Sequence, residues 1–345
     1  MRLRAAVRYA MLATLLGLAV ATWALQGVAQ PAATSFAGRI ERLSEPGGDF
    51  DTDNLISNEH SFLEVVPALK ATGASGGAYI GVGLDQNFSY IAHLRPSIAF
   101  IVDIRRDNLL LHLLFKALFA ASRSRVEYLC LLTARVPPDR LDAWRDAGLD
   151  RIVASVDEAQ LEGPDAIRRL DRRIHDAIAG FSVPLTSADY ETIRRFHHTF
   201  MAAGLSLKFE SRGRPPQRAY PTYRDLLLAT DRTGRSWSFI AADGDFQFVK
   251  ALEANDLLIP VVGDLGGLHA LSAIADLMET RNERLSAIYI SNVETYLSGS
   301  KYAQFVRNVL RLPHNAQSVL IRSTFRASVS SSELQSVNEF VAVAQ

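Results

Sequence analysis

The sequence predicts an α/β fold, with a doubly wound, mostly parallel sheet that is interrupted by a helical insertion. Two short apolar runs, at 78–83 and 98–104, flank an amphipathic stretch with the spacing of a strand–helix–strand unit. From 257 onward, apolar runs again alternate with helical patterns. Such alternation is typical of parallel strands joined by right-handed crossovers. The region between them, about 137–235, carries helical periodicity with many charged positions and is the predicted insertion.

The first strand–helix–strand unit is marked by residues that start and stop its elements. The run at 78–83 ends in Gly81-Val82-Gly83, a polar helix start follows at Asp85, and a proline at position 96 stops the helix. The run at 98–104 is rich in β-branched residues and too short for a helix. The almost wholly apolar stretch 108–121 is too short to cross a membrane, so it predicts a buried helix packed on the sheet.

The second half of the sheet is predicted from three later apolar runs. Strands are expected at 257–264, 287–292 and 318–323, alternating with helices at 246–255, 269–281 and 302–312. The last strand is expected to pair with 340–344. Cys130 is the single cysteine and lies in an apolar run, so the sequence predicts a buried thiol and no internal disulfide.

The N-terminal segment predicts export. Arg2, Arg4 and Arg8 precede an uncharged apolar run at 11–25, and small residues follow it, which is the layout of a signal peptide at 1–29. The alternative is an uncleaved anchor helix, because the run is about long enough to span a bilayer. A cleaved signal peptide would place the protein in the periplasm or the medium, and an uncleaved anchor would place it on a membrane.

The rest of the chain divides into a linker and one domain. Residues 30–48 are rich in Ala, Ser, Gly and Pro and predict a linker. The single α/β domain is expected to span 49–345, with the insertion inside it. This division makes the N-terminal segment the only predicted contact with a membrane.

Composition and motifs exclude several classes of function. The 37 Lys and Arg residues balance the 37 Asp and Glu residues, so no basic field predicts a nucleic-acid partner. The chain has no HExxH, GxSxG, P-loop or CxxC motif, so the sequence gives no support for a hydrolase, NTPase or redox function. A stretch that begins like a calcium loop at Asp49 lacks the required glycine and the final glutamate, so no metal site is predicted. A small-molecule ligand remains the expected partner.

The ends of the predicted strands carry the candidate site. Gly81 and Gly83 let the backbone turn sharply after the first strand and approach a ligand without a Cβ. Asp103 ends the second strand twenty residues beyond Gly83, the spacing at which an acid meets a ribose in dinucleotide-type folds. We therefore expect the glycine turn and Asp103 to share one crevice. The third glycine of the dinucleotide motif is absent and Asp85 stands near its place, which favours a ligand without phosphate or with a positive charge.

A resemblance to a known family follows from these residues. The order strand, Gly-x-Gly, helix, strand, Asp, followed by later strands that end in VVGD and YISN, resembles the class I S-adenosylmethionine-dependent methyltransferases. The chain also resembles an uncharacterised bacterial group in that superfamily, which has GVG-DQN, DIRR, VVGD and SNVE blocks. The resemblance covers about 50–130 and 236–325 and does not include the helical middle.

The resemblance implies a methyltransferase-like Rossmann fold and a set of roles. Gly81 and Gly83 would face the methionine part of S-adenosylmethionine, and Asp103 would bind its ribose. Asp264 would lie beside the adenine. The resemblance places the substrate-side residues, which would be catalytic, at Asn292 and Glu294.

Two functions remain open from the sequence. The first is a methyltransferase-like enzyme that uses S-adenosylmethionine and an unknown acceptor. The second is an exported, non-catalytic binding or structural protein that reuses the fold, because S-adenosylmethionine is a cytoplasmic metabolite and the leader predicts export. Fold alone does not choose between them.

Overall fold

A six-stranded, mostly parallel sheet forms the centre of the molecule. The computed structural model describes residues 34–50, 55–210, 219–326 and 329–344. The strands in chain order are β1 Ala78–Val82, β2 Ile98–Asp103, β3 Leu258–Val262, β4 Leu285–Tyr289, β5 Val319–Arg326 and β6 Val329–Ser336. Their order across the sheet is β3-β2-β1-β4-β5-β6. The first five strands are parallel to their neighbours, and β6 returns antiparallel to β5. The mixed α/β class and the mostly parallel sheet are therefore confirmed.

Helices separate the strands β1 to β5 along the chain, as the sequence predicted. Between β1 and β2 lies Gln86–Leu94, and Ala270–Thr280 and Ser300–Arg311 flank β4 along the chain. The remaining helices are Phe36–Leu43, Val66–Ala71, Arg106–Ala121, Arg125–Thr133, Leu149–Glu158, Pro164–Gly180, Ser187–Ala203, Tyr223–Leu227, Asp243–Ala254 and Val337–Ala344. The strands β1 to β4 are buried along their lengths, with one partly exposed position at the end of β2, because helices cover the sheet.

The apolar helix Arg106–Ala121 is the main helical element of the core. Its residues from 108 to 119 are all buried, and it packs against β2 and β3 on one side and against the insertion on another. A helix that is apolar all round has no face for solvent, which is why the sequence predicted its burial. Cys130 lies on the neighbouring helix as a buried free thiol, as predicted, and burial raises its pKa to about 12.

The helical insertion forms a layer on that core helix. Three long helices, Leu149–Glu158, Pro164–Gly180 and Ser187–Ala203, occupy the region for which the sequence predicted an insertion. They pack against the two helices that follow β2. Each carries a stripe of buried residues on an otherwise exposed surface, such as Leu170, Ile174 and Ile178.

The linker interpretation of 30–48 is wrong for the part that the structure describes. Phe36–Leu43 is a helix whose Phe36, Ile40 and Leu43 are buried against the body of the protein. The chain after it continues along β3, where the backbone N–H of Glu45 donates to the carbonyl of Val262. The apolar spacing of this helix outweighed the small and flexible residues that suggested a linker.

The C-terminal pairing also differs from the prediction. The sequence assigned 340–344 as the strand paired with β5, but Val337–Ala344 is a helix and β6 is the partner. The polar, serine-rich sequence of β6 gave no apolar run by which to recognise a strand. The predicted leader at 1–29 lies outside the described residues. Within the described ranges, no helix has the length and apolar character that a membrane crossing requires.

Candidate functional site

A cleft of about 230 Å³ lies at the carboxyl ends of the parallel strands. Residues after β1, β2, β3 and β4 all contribute to its wall. The order of the sheet reverses between β1 and β4, and open α/β sheets bind ligands at the carboxyl ends beside such a reversal. The residues that line the cleft are Phe50, Ser57, Asn58, Glu59, Val82, Gly83, Leu84, Gln86, Val102, Asp103, Ile104, Arg105, Gly263, Asp264, Leu265, Ser291, Asn292, Val293, Tyr296, Leu297 and Lys301.

The two glycines of the turn have different structural roles. Gly83 lines the cleft with φ +83°, a conformation that favours glycine, so its backbone is bare toward a ligand. Gly81 is not among the lining residues. A Cβ at Gly81 would stand 1.9 Å from Oδ1 of Asn87, so this glycine makes room for Asn87. The prediction that Gly81 faces a ligand is therefore not supported by its position.

Asn87 and His112 hold the glycine turn from within the core. The Nδ2 of Asn87 donates to the carbonyls of Val82 and Leu84, and its Oδ1 accepts from the Tyr79 hydroxyl at 2.7 Å.

His112 holds the turn at Gly83. The Nε2 of His112 lies 2.9 Å from the carbonyl of Gly83. A carbonyl can only accept, so Nε2 carries the proton. Burial lowers the pKa of His112 to about 4, which keeps the ring neutral at physiological pH.

Asp103 lines the cleft together with Gly83, as the spacing predicted. Its carboxylate also forms an ion pair with Arg105. Oδ1 accepts from the backbone N–H and the Nε of Arg105, and Oδ2 accepts from Nη2 at 2.8 Å. A carboxylate offers about four acceptor positions, so Oδ2 retains one for a further donor. Arg105 thus orients the acid at the wall of the cleft.

Asp264 follows β3 and also lines the cleft. Its Oδ2 pairs with Lys301 at 2.8 Å, and its Oδ1 accepts from the backbone N–H of Gly266 at 2.9 Å. Its own N–H donates to Glu45, so the stretch that follows helix Phe36–Leu43 helps to position Asp264.

The same stretch reaches the mouth of the cleft at Phe50. There the ring of Phe50 packs edge-to-face on Tyr296, with ring centroids 5.0 Å apart.

The two residues predicted on the substrate side are separated by the structure. Asn292 lines the cleft just after β4. Glu294 does not line it, and its Oε2 lies 3.4 Å from Nε of Arg322. Burial raises the pKa of the Glu294 carboxyl, and the charge of Arg322 opposes the rise. The geometry brings Gly83, Asp103, Asp264 and Asn292 together and leaves Gly81 and Glu294 outside.

Glu59 is a cleft residue that sequence reasoning missed as a site residue. Its side chain is 1% exposed, and it accepts hydrogen bonds from the hydroxyls of Ser291 and Ser323. The Tyr289 hydroxyl lies near the same carboxylate and favours its ionised form. Burial raises the pKa of the carboxyl, while these hydroxyls oppose the rise. The stretch before the first strand held only the incomplete calcium-loop pattern that begins at Asp49, and that pattern did not mark Glu59 as a site residue.

Ser291 adds backbone strain to this side of the cleft. It follows β4 with φ +51°, which is uncommon for a residue other than glycine. Its carbonyl accepts from the N–H of Ser323 on β5 at 2.7 Å, which holds the conformation. Strained residues that surrounding bonds hold in place occur often at ligand sites.

The comparisons with known proteins give one family. A family model described as a domain of unknown function, DUF7790, matches residues 55–140 and 209–342. These two segments are more than half of the chain and contain all six strands. The stretch between them corresponds closely to the three long helices of the insertion. A search of curated proteins finds no match to the chain. Within the described ranges, no three His, Cys, Asp or Glu residues are grouped so as to hold a metal ion.

Proposed function

Because the chain belongs to the DUF7790 family, a domain of unknown function, we propose its function from the cleft. We propose that the protein binds S-adenosylmethionine and is a methyltransferase-like enzyme. The meeting of the Gly83 turn and Asp103 in one cleft carries this proposal. The strand order supports it, because a reversal between β1 and β4 is the arrangement in which doubly wound folds hold adenosine-containing ligands.

The cleft residues fit such a ligand without a phosphate group. Gly83 presents backbone with no Cβ, and Oδ2 of Asp103 has an acceptor position for a ribose hydroxyl. Asp264 would stand beside the adenine. When bound, S-adenosylmethionine would supply an electrophilic methyl group. The protein's part is then to align an acceptor atom in a partly closed cleft, for which Asn292 is the candidate.

Calorimetry of the purified protein with S-adenosylmethionine and S-adenosylhomocysteine tests the proposal. We expect both to bind, and Asp103→Ala to weaken binding by about tenfold, because one charge-assisted hydrogen bond is worth about 1.5 kcal/mol. Asp107→Ala is the matched control, because Asp107 lies four positions further on and outside the lining of the cleft. Absence of heat from either ligand with the wild-type protein would overturn the proposal.

The alternative is a non-catalytic binding protein that is exported. The position of Glu294 favours it, because this predicted catalytic group pairs with Arg322 outside the cleft. N-terminal sequencing of the chain from fractionated cells distinguishes an exported protein from a cytoplasmic one. A periplasmic chain that starts near Gln30 would favour the binding protein, and an unprocessed cytoplasmic chain would favour the enzyme.

A further inference from the structure

The carboxylate of Glu59 differs from the other acids of the cleft in its partners. Asp103 is paired with Arg105, and Asp264 is paired with Lys301. In the part of the chain that the structure describes, Glu59 has hydroxyl partners and no ion pair with Lys, Arg or His. A buried carboxylate without a cation is costly, so a positively charged ligand group would be stabilised beside it.

The Gln86 amide is held by a tyrosine beside Glu59. Its Nε2 donates to the hydroxyl oxygen of Tyr289, which lies 3.3 Å away and is buried at the end of β4. This hydrogen bond fixes the polarity of the Gln86 amide, with Nε2 toward Tyr289.

This polarity leaves an acceptor without a donor on Gln86. Its side chain lines the same cleft and is 8% exposed. Because Nε2 is the donor to Tyr289, the other end of the amide is Oε1, and this atom has no hydrogen-bond partner within the described residues. A buried polar atom without a partner costs about 1–3 kcal/mol, so a ligand donor would relieve that cost.

From these contacts we propose that Glu59 and Gln86 recognise a protonated amine of the ligand. An ammonium group carries a positive charge for the carboxylate and further N–H donors for the amide oxygen. The ligand of this cleft is then a cationic amine, bound with its nitrogen toward the β1–β4 side. The inference rests on the proposed function only in taking this cleft as the ligand site, and it requires no adenosine.

Matched pairs of small molecules test the inference by calorimetry or ligand-observed NMR. One pair is benzylamine and benzyl alcohol, and the other is 5′-amino-5′-deoxyadenosine and adenosine. We expect each amine to bind at least about tenfold more tightly than its neutral partner, the gain of one charge-assisted hydrogen bond. Glu59→Gln should reduce this preference to about twofold or less, because the charge is lost while the shape is kept.

Two further variants keep the test decisive. Glu294→Gln is the matched control, because Glu294 is near the strand ends but pairs with Arg322, and the amine preference should stay unchanged. If Glu59→Gln fails to fold, Gln86→Met should lower the preference several-fold while Glu59 remains in place. Equal binding of amine and neutral partner, no binding of either amine at millimolar concentration, or a preference that survives these variants would overturn the inference.

The outcomes also separate this inference from the proposed function. If S-adenosylhomocysteine fails to bind while benzylamine shows the Glu59-dependent preference, the proposed function fails and the amine site stands. If S-adenosylhomocysteine binds and the amine preference is absent, the amine site fails alone.

Discussion

Asn87 explains why the first strand ends in glycine. Its side chain makes three hydrogen bonds in a fully buried position, and Gly81 leaves the space that it occupies. The sequence suggested that both glycines serve a ligand. At the scale of single residues, one glycine accommodates the side chain that shapes the turn, and the other presents the turn to the cleft.

Because Asn87 holds the turn, we expect Asn87→Ala to destabilise the folded protein strongly. The Tyr79 hydroxyl and the carbonyls of Val82 and Leu84 would each lose a buried partner, so we expect a loss of about 3 kcal/mol in the free energy of unfolding. Urea denaturation measures this. Asn255→Ala is the control, because the Asn255 amide donates to one carbonyl at an exposed helix end. Equal losses in the two variants would contradict this account of the turn.

Asp85 predicts a pH dependence of stability. It is buried and accepts from the Tyr223 hydroxyl at 2.6 Å, and burial raises its pKa from 3.8 to about 6. Between pH 4 and pH 6 the unfolded chain releases this proton while the folded protein keeps it, so the contribution of Asp85 to stability falls as pH rises. The loss is complete once pH has risen through the folded pKa, and it amounts to about 3 kcal/mol.

Denaturation of Asp85→Asn across that pH range checks the assignment. The variant should lack the part of the slope between pH 4 and pH 6 that the wild type shows. Asp107→Asn, at a partly exposed position, should keep the wild-type slope. An unchanged slope in Asp85→Asn would show that other groups cause it.

At the scale of secondary-structure elements, the insertion is tied to the cleft wall through one arginine. Arg106 begins the core helix next to Arg105 and pairs with Asp189 on the helix Ser187–Ala203, with both carboxylate oxygens at 3.0 Å. Asp189 also forms a capping box with Thr186. No lining residue of the cleft comes from the insertion helices, so this layer supports the cleft from behind rather than covering it.

Asp189→Asn should loosen this connection. Arg106 lowers the pKa of Asp189 to about 2, so the interaction is present above pH 4 and is lost as pH falls through 2. We expect a loss of about 1 kcal/mol at neutral pH, because Arg106 is half exposed and solvent screens the pair. Asp165→Asn is the control, because its pair with Arg168 is fully on the surface. Equal midpoints in urea for the two variants would argue against a tether.

At the scale of the whole molecule, Lys116 joins three parts of the chain. Its Nζ lies 2.8 Å from Asp256 and near the buried Glu253, whose pKa burial raises to about 8 against the charge of Lys116. The same ammonium stands over the rings of Phe36 and Phe181, at 4.5 and 5.2 Å. The N-terminal helix, the insertion and the end of helix Asp243–Ala254 therefore meet the core helix at one cation.

Lys116→Met should destabilise all three parts together. Removing the buried ammonium from its hydrogen bonds to Asp256 and to the backbone carbonyl of Glu253 should cost about 2 kcal/mol, and hydrogen exchange should rise in helix Phe36–Leu43. Lys250→Met is the control, because Lys250 bonds to the carbonyls of Phe119 and Ser122, beyond Lys116 in the chain, and should leave that exchange unchanged. Unchanged exchange in helix Phe36–Leu43 would contradict the role of Lys116 as a junction.

The sequence by itself determined the elements whose signals are local. The strands β1 and β2, the turn between them and the buried helix at 106–121 lie within a few residues of their predicted positions, because apolar periodicity and helix stops act over neighbouring residues. Parallel pairing of these strands follows from the same alternation, and it brings Gly83 and Asp103 to one edge.

Only the tertiary structure decided which of these residues face the cleft. Glu59 and Ser323 are 264 positions apart in the chain, and no local pattern could predict that a buried carboxylate meets that hydroxyl. The same holds for the pairing of Glu294 with Arg322 and for the packing of the helix at 36–43. The physical reason is that burial and charge pairing depend on which distant segments fold against each other.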